Sequence, residues 1–305
     1  MRFFVAITDF DWFTYLSAQK PDEVNFWQPS AHGFKRLQPG EPLLFKLHSP
    51  RNYIVGGGFF SHYAELPLSF AWDAFGEKNG ARSLEEMRTR VWKYRAGKPM
   101  EGNEEVVGCI MLQQPFFFPE PEWIPVSDWP MQSVQGKTYD AAEGRGAEIW
   151  TEVQYRLANA APVLDETVAA AEEKYGKPQV VLPRLGQGAF RVIVADTYQR
   201  SCAVTSSHIL HILEAAHIRP YAQGGTHSPA NGLLLRQDVH TLFDRGYMTV
   251  TPEYRLEVSR RIKEEFNNGV EYYALQGKQI HMPLVEQYRP SAEALAWHNE
   301  RVFLP

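Results

Sequence analysis

Short apolar runs separated by turn residues dominate the first part of the chain. FFVAIT, PLLFKL, YIVGGGFF and VVGCIML are rich in β-branched and aromatic residues, and Pro, Gly and Asn lie between them. This pattern predicts a mostly β region up to about residue 135, most simply a compact β-barrel with inserted helices. In SLEEMRTRVWKYR, Ser83 is followed three positions later by Glu86. That capping-box spacing predicts the start of an amphipathic helix.

The hydrophobic spacing becomes helical in the middle of the chain. AEIWTEVQYRLA and DETVAAAEEKYG follow a helical period, and Gly176 and Pro178 end it. We therefore predict a first domain over residues 1–137, a helical connector over 138–178 and a second domain over 179–305. The predicted fold class is α+β.

The second domain contains the stretch EAAHIRPYAQGGTHSPANGLLLRQDVHTLFDRG, residues 214–246. A short apolar run ends at His217, a Gly-Gly turn follows, and Asn231 precedes a second apolar run. His240 then lies on a segment with helical spacing. The stretch therefore predicts a strand, a loop, a second strand and a helix. Farther along, YMTVTPEYRLEVS predicts a hairpin, and a C-terminal helix is predicted from Ser291.

Composition and charge narrow the class of protein. The 305 residues are enough for two domains, and the formal net charge is −5. Basic and acidic residues are nearly equal in number from Arg184 onward, so the acidic excess lies in the front part. This balance gives no support for a wide basic face, although it leaves room for a local basic groove.

The lack of recognisable targeting signals and the small number of cysteines predict a cytoplasmic protein without a membrane partner. No apolar run approaches the roughly 20 residues of a membrane span, and the N-terminus lacks the pattern of a secretory signal. The two cysteines, Cys109 and Cys202, lie far apart in sequence and fit a reducing compartment. They are too few for a four-cysteine zinc site.

The residue types, spacing and predicted context of His217, Asn231 and His240 resemble the HNH (ββα-metal) nuclease motif. The resemblance implies that His217 is the general base, that Asn231 orients this imidazole and holds the loop, and that His240 binds a metal or the phosphate. Taken singly, a histidine is more often structural, and an asparagine before glycine often makes a turn. The joint pattern favours the nuclease interpretation. Three other histidines have no position in the motif and are expected to be structural or surface residues: His208, His211 and His227.

The metal ligands are where the chain departs from the family pattern. Many relatives place Asp or His directly before the base, but Ala216 stands there. Because alternate side chains of a strand share a face, Glu214 is the candidate carboxylate ligand, with His240 as its partner. Asp244 lies four residues after His240 on the same helical face and could support it. Mg²⁺ or Mn²⁺ suits such a mixed oxygen and nitrogen site, and Co²⁺ or Ni²⁺ could also fit.

The resemblance extends over residues 180–305. RLGQGAFR, SCAVT and YRPSAEALAWHNERVF are similar to the HNH branch found in bacterial restriction endonucleases. Arg184, Gln187 and Arg191 are candidates for phosphate contacts, because an arginine fork suits phosphate oxygens. A capped, solvated turn is the equally weighted alternative for these three residues.

The front domain resembles the PUA-like barrels, the superfamily that includes EVE, ASCH and YTH domains. The resemblance rests on DEVNFWQPS and PGEPLLFKLHSPRNYIVGGGFF. Several such domains hold a modified base in an aromatic pocket, and EVE-type domains joined to HNH nucleases occur in modification-dependent restriction enzymes. Trp27 is the first candidate for such a pocket, since it stands among polar residues at a turn. The other candidates are Phe26, Asn25, Ser30, Phe59 and His48. Because aromatics in a β-barrel are usually core residues, most of the domain's aromatics must be structural.

These resemblances imply a metal-dependent endonuclease of the type IV restriction class. Its expected partner is double-stranded DNA that carries 5-methylcytosine or 5-hydroxymethylcytosine. A single HNH site cuts one strand at a time, so double-strand cleavage would require a homodimer or two successive nicks. Three alternatives stay open: a front domain that reads RNA or unmodified DNA, a nucleic-acid binder that does not cleave, and a scaffold protein.

Overall fold

The computed structural model describes residues 1–95, 105–129, 136–160 and 185–305. The chain divides into two units, Met1–Arg184 and Leu185–Pro305.

A seven-stranded sheet forms the centre of the first unit. Its strands are β1 (Arg2–Thr8), β2 (Glu23–Gln28), β3 (Pro42–Leu47), β4 (Tyr53–Pro67), β5 (Val106–Phe117), β6 (Ile124–Pro125) and β7 (Gly136–Asp140). The strand order is β2-β5-β4-β3-β1-β7, and β6 pairs with β4. β1 and β3 run parallel, whereas the other pairs are antiparallel. The four apolar runs predicted as strands lie in β1, β3, β4 and β5.

The predicted barrel is not closed by strand pairing within the described residues. β2 and β7 stand at the two ends of the path and are not paired with each other. The sheet is therefore open, while the α+β class is confirmed.

Both faces of the sheet are covered by helices and aromatic side chains. In the described residues the α-helices of this unit are α1 (Phe10–Gln19), α2 (Leu68–Phe75), α3 (Leu84–Tyr94) and α4 (Gly144–Ala160). Successive residues of a strand point to opposite faces, so Phe4 packs in one cluster with Trp12 of α1. Phe3 packs in the other cluster with Ile149 and Val153 of α4.

Helix α3 begins where the capping-box spacing predicts. The Ser83 hydroxyl accepts a hydrogen bond from the Glu86 amide at 3.2 Å. The Glu86 carboxylate in turn accepts from the Arg82 amide at 2.9 Å, one residue before the N-cap. These contacts satisfy two backbone donors near the helix start.

The first half of the predicted connector belongs to the sheet unit. β7 pairs with β1, and α4 contributes to the core against the sheet. The remainder of the predicted connector, residues 161–178, lies outside the described residues. A connector there stays a prediction.

The second unit contains two antiparallel strand pairs and five α-helices in the part that the structure describes. These elements are α5 (Gln187–Thr197), β8 (Leu213–His217), β9 (Gly232–Arg236), α6 (Gln237–Asp244), β10 (Met248–Val250), β11 (Leu256–Val258), α7 (Arg261–Phe266), α8 (Val270–Tyr273) and α9 (Ala292–Arg301). β8 pairs with β9, and β10 with β11, as the sequence predicts. Ser291 caps α9 by accepting from the Ala294 amide at 3.4 Å. Among the described helices, none is both long and apolar enough to span a membrane.

Candidate functional sites

The β8–β9 pair and helix α6 carry the three motif residues of the second unit. His217 ends β8 and lies opposite Gly232, the first residue of β9, and α6 follows β9 directly. His217 and His240 both line a cleft of about 820 Å³. The predicted strand–loop–strand–helix order is therefore what brings the two histidines to one cavity.

The imidazole of His217 contacts two other rings. It stacks on Phe190 of α5, with ring centroids 4.1 Å apart and an interplanar angle of 14°. The His227 ring lies edge-on to it at 5.0 Å. His217 Nε2 is 2.9 Å from His227 Nδ1, so these two nitrogens share a hydrogen bond. The sequence interpretation missed both neighbours.

Burial, and to a smaller extent the charges of His227 and His240, together lower the pKa of His217 to about 4. The imidazole is therefore neutral at pH 7. A neutral ring can accept a proton, which is what a general base requires.

Gly232 provides the space for this stack. A Cβ atom at this position would lie 2.6 Å from Val194 Cγ2 and 3.0 Å from Phe190 Cζ. Any side chain here would press on the ring that supports His217. The glycine before the second apolar run thus has a packing role that the sequence pattern does not reveal.

Asn231 ties together the two ends of the loop between β8 and β9. Its Oδ1 accepts from the Arg219 amide at 3.0 Å, and its Nδ2 donates to the carbonyls of Arg219 and Thr226 at 2.9 Å each. Within the described residues, its side chain makes no hydrogen bond to His217. Thr226 directly precedes His227, so Asn231 holds the loop that carries the hydrogen-bond partner of His217.

Two carboxylates flank the His240 ring. Glu214 Oε2 lies 2.6 Å from Nδ1, and Asp244 Oδ2 lies 3.3 Å from Nε2. Burial raises the pKa of the Asp244 carboxyl, the charge of His240 opposes that rise and Glu214 adds to it. The three predicted metal-site residues therefore meet around one imidazole.

The donor set at His240 fits a divalent cation held by few protein ligands. No group of three or more His, Cys, Asp and Glu residues in the described part of the chain is placed to hold a metal ion. His240 Nε2 and Asp244 Oδ2 lie 3.3 Å apart. Two ligand atoms that each bind the same metal ion at about 2.0–2.2 Å are separated by a similar distance. Mg²⁺ is commonly bound by one or two carboxylates and keeps several waters.

Glu214 occupies a different position relative to the ring. At 2.6 Å from Nδ1 its oxygen directly hydrogen-bonds the imidazole and leaves no space for an ion between them. Metal-binding histidines commonly donate their second ring N–H to such a carboxylate. The 2.6 Å hydrogen bond at Nδ1 and the 3.3 Å separation at Nε2 thus distinguish the positions of Glu214 and Asp244, both of which are predicted metal-site residues.

Several arginines surround the same cleft. Gln187 and Arg191, both predicted as phosphate contacts, line it, while Arg184 lies outside the described residues. Arg245, directly after α6, and Arg301, at the end of α9, line it as well. The latter two were missed because their position depends on how the helix ends pack. Despite the acidic net charge, the cleft has a local concentration of positive charge suited to phosphate.

The first unit has its own cavity, of about 410 Å³. Four of the six predicted pocket residues line it: Phe26, Trp27, Ser30 and His48. Asn25 is instead fully buried, where its amide donates to Asn79 Oδ1 at 2.8 Å and contacts Cys109 Sγ at 3.3 Å. Phe59 is outside the lining, and its ring faces Phe116 at 6.3 Å.

Two tryptophans of this cavity share one hydrogen-bond acceptor. The indole N–H groups of Trp12 and Trp27 donate to the carbonyl oxygen of Asn79 at 3.0 and 2.9 Å. The next residue, Gly80, has a φ of +76°, and a Cβ there would collide with the Trp12 indole. The turn therefore fixes the position of both rings.

Asp9 brings a carboxylate to the aromatic cavity. Its Oδ1 accepts a hydrogen bond from the Tyr94 hydroxyl and lies 3.4 Å from His48 Nε2. Burial and the Asp9 charge raise the pKa of Tyr94 above its usual range, so the hydroxyl keeps its proton. Within the described residues Asp9 Oδ2 has no hydrogen-bond partner, so it is a free acceptor. The sequence interpretation did not include Asp9, which lies between β1 and α1.

Residues 202–251 match the family model described as HNH endonuclease. The second unit carries an HNH endonuclease domain. The match covers β8, β9 and α6, the elements that bear His217, Asn231 and His240. The HNH domain makes this protein a nuclease, and the divalent metal that HNH nucleases generally use fits the donors at His240.

Comparisons with solved structures find distant similarity. The crystal structure of ASCH from Zymomonas mobilis is 10% identical, with a TM-score of 0.33, over 51% of this chain and 94% of that chain. A modification-dependent restriction endonuclease, TagI, is 13% identical, with a TM-score of 0.27, over 92% of this chain and 75% of that chain. A search of curated protein sequences finds no match.

Proposed function

We propose that this protein is an endonuclease that cleaves double-stranded DNA containing 5-methylcytosine or 5-hydroxymethylcytosine. The HNH domain supplies the cleavage, and the cavity of the first unit binds the modified base. The observation that carries the proposal is that this second cavity combines fixed indole rings with a free carboxylate oxygen.

In the proposed cleavage reaction, neutral His217 takes a proton from the attacking water. Arg191, Arg245 and Arg301 line the cleft and are suited to neutralise the phosphate. His240 and Asp244 would hold a divalent metal, and Glu214 would fix the His240 ring through Nδ1. When bound, the metal supplies Lewis-acid stabilisation of the charge that develops on the phosphate and the leaving oxygen.

In the proposed recognition step, a base rotated out of the duplex stacks on the partly exposed Trp27 indole that lines the cavity. Asp9 Oδ2 accepts a hydrogen bond from the exocyclic amino group of cytosine. Thymine presents a carbonyl oxygen at the same position, so its oxygen and the Asp9 carboxylate would be two acceptors facing each other. The carboxylate therefore favours cytosine over thymine, and the modification at carbon 5 is read by the remaining wall.

The proposal also concerns location and assembly. Restriction of incoming DNA would take place in the cytoplasm. Because one HNH site cuts one strand, double-strand cleavage would come from a homodimer or from two successive nicks. Sedimentation of the protein alone and with DNA would distinguish these routes.

The direct test is a cleavage assay on one plasmid prepared unmodified, with 5-methylcytosine and with 5-hydroxymethylcytosine. Each form is incubated with Mg²⁺, Mn²⁺ or Co²⁺, and His217→Ala is the control. We expect cutting confined to a modified form and lost in the control variant. Equal cutting of all three forms would support the nuclease activity and contradict the proposed recognition of a modified base. DNA binding without cutting under any metal would contradict the assigned cleavage role.

A further inference from the structure

We propose that His227 is a positioning residue that sets the tautomer of His217. In this arrangement the proton of neutral His217 resides on Nε2 and is donated to Nδ1 of His227. The lone pair of His217 Nδ1 is then available to take a proton from water. Nothing in the HNH motif itself assigns this role, because His227 lies between its positions.

The geometry of the two rings limits the choices. His217 Nε2 and His227 Nδ1 face each other at 2.9 Å, so a single proton lies between them when both rings are neutral. If His227 donated that proton, the lone pair of His217 Nε2 would be occupied and His217 Nδ1 would carry a hydrogen. Such a tautomer has no free lone pair with which to act as a base.

The remaining nitrogen of His217 is the one accessible to a water molecule. In the described part of the chain, Nδ1 has no hydrogen-bond partner, and the His217 ring borders the 820 Å³ cleft. The Phe190 ring fixes the plane of the imidazole, and the hydrogen bond to His227 occupies Nε2, so Nδ1 is the nitrogen left to meet a water molecule. Proton transfer at Nδ1 therefore requires the hydrogen on Nε2.

His227 is held firmly enough to act as a fixed acceptor. The Tyr221 ring stacks on it with centroids 5.0 Å apart and an interplanar angle of 11°. The residue before it, Thr226, is anchored by the amide of buried Asn231 at 2.9 Å. Ring stacking and the loop clamp thus place Nδ1 of His227 independently of each other.

Two matched variants separate the hydrogen bond from the packing. His227→Phe keeps an aromatic ring beside Tyr221 and removes the acceptor. His227→Asn keeps a side-chain oxygen near the position of Nδ1 and removes the ring. We expect kcat on a DNA substrate to fall about 10–100-fold in His227→Phe, with KM little changed, and to recover most of that loss in His227→Asn. Equal kcat in wild type and His227→Phe would overturn the proposal.

Nitrogen NMR of the full chain gives a readout that needs neither DNA nor metal. With ¹⁵N-labelled histidine, the His217 signals are assigned by their absence in His217→Ala. We expect wild-type His217 to be protonated on Nε2, and His227→Phe to show a mixture of tautomers. Wild-type His217 protonated on Nδ1 would contradict the proposal, even if His227→Phe failed to fold. Because the NMR result is independent of which DNA is cut, it stands or falls separately from the proposed modified-base specificity.

Discussion

A buried histidine in the second unit should make that unit sensitive to acid. His298 of α9 is 2% exposed. Its Nε2 donates to the Phe243 carbonyl at 3.2 Å, and its Nδ1 accepts from the Thr249 hydroxyl at 2.8 Å. The ring also stacks on Phe243 with centroids 3.7 Å apart. The neutral ring is thus fully paired, and Phe243 lies three residues after His240 on α6.

The size of the effect follows from the pKa of His298. Burial lowers it from 6.5 to about 4. Between these values the unfolded chain binds a proton that the folded unit does not bind, so stability falls as the pH falls. The full difference corresponds to about 3 kcal/mol, at about 1.4 kcal/mol for each pKa unit. Between pH 7 and pH 5 the unfolding free energy should decrease by about 2 kcal/mol through this residue alone.

The assay compares wild type with His298→Gln, which stays neutral throughout this range. Trp297 is the only tryptophan of residues 185–305, so a 5-fluorotryptophan signal at this position follows urea unfolding of the second unit. We expect the wild type to lose about 2 kcal/mol more than His298→Gln between pH 7 and pH 5. The contribution of His217 cancels, because both proteins retain it. An identical pH dependence, or a His298 titration midpoint at 6.5 or above, would refute the reasoning.

Three further predictions concern the two cavities. Gly232→Ala should displace Phe190, destabilise the unit by about 1–3 kcal/mol and lower kcat. An unchanged kcat would show that the stacking of Phe190 on His217 is not needed for catalysis. In calorimetry, Glu214→Gln should bind Mn²⁺ about 10–100-fold more weakly than the wild type, and Asp244→Asn should lose more affinity than that. A larger loss of affinity in Glu214→Gln would instead make Glu214 the metal ligand. Trp27→Ala should lose about 1–3 kcal/mol of stacking and abolish discrimination between modified and plain DNA while Mn²⁺ affinity is unchanged. An unchanged preference would exclude Trp27 from recognition.

The motif residues could be placed from the sequence because their environment is local. His217 and His240 each lie on a strand or helix that the hydrophobic period predicts. The alternation of side chains along β8 also places Glu214 on the face of the β8–β9 pair where it contacts His240. β8, β9 and α6 follow one another closely in the chain, so the side chains on these three elements can be placed from local sequence patterns alone.

The remaining site residues could not be predicted because distant segments bring them together. Phe190 reaches His217 through the packing of α5, and His227 reaches it through a loop whose shape depends on Asn231. In the first unit, Asp9 and Tyr94 meet only when the sheet has formed. The closed barrel, too, was expected from strand content alone, whereas closure depends on which strands pair.

The Asn79 carbonyl that accepts hydrogen bonds from both Trp12 and Trp27 has a consequence for how specificity could change over evolutionary time. The two indoles are arranged before any ligand arrives, so binding avoids the loss of about 0.5–1.5 kcal/mol of side-chain entropy for each ring. Since both rings depend on one backbone atom, a substitution in the turn that ends at Gly80 would move them together. New ligand preferences could therefore arise without altering any residue of the cavity wall.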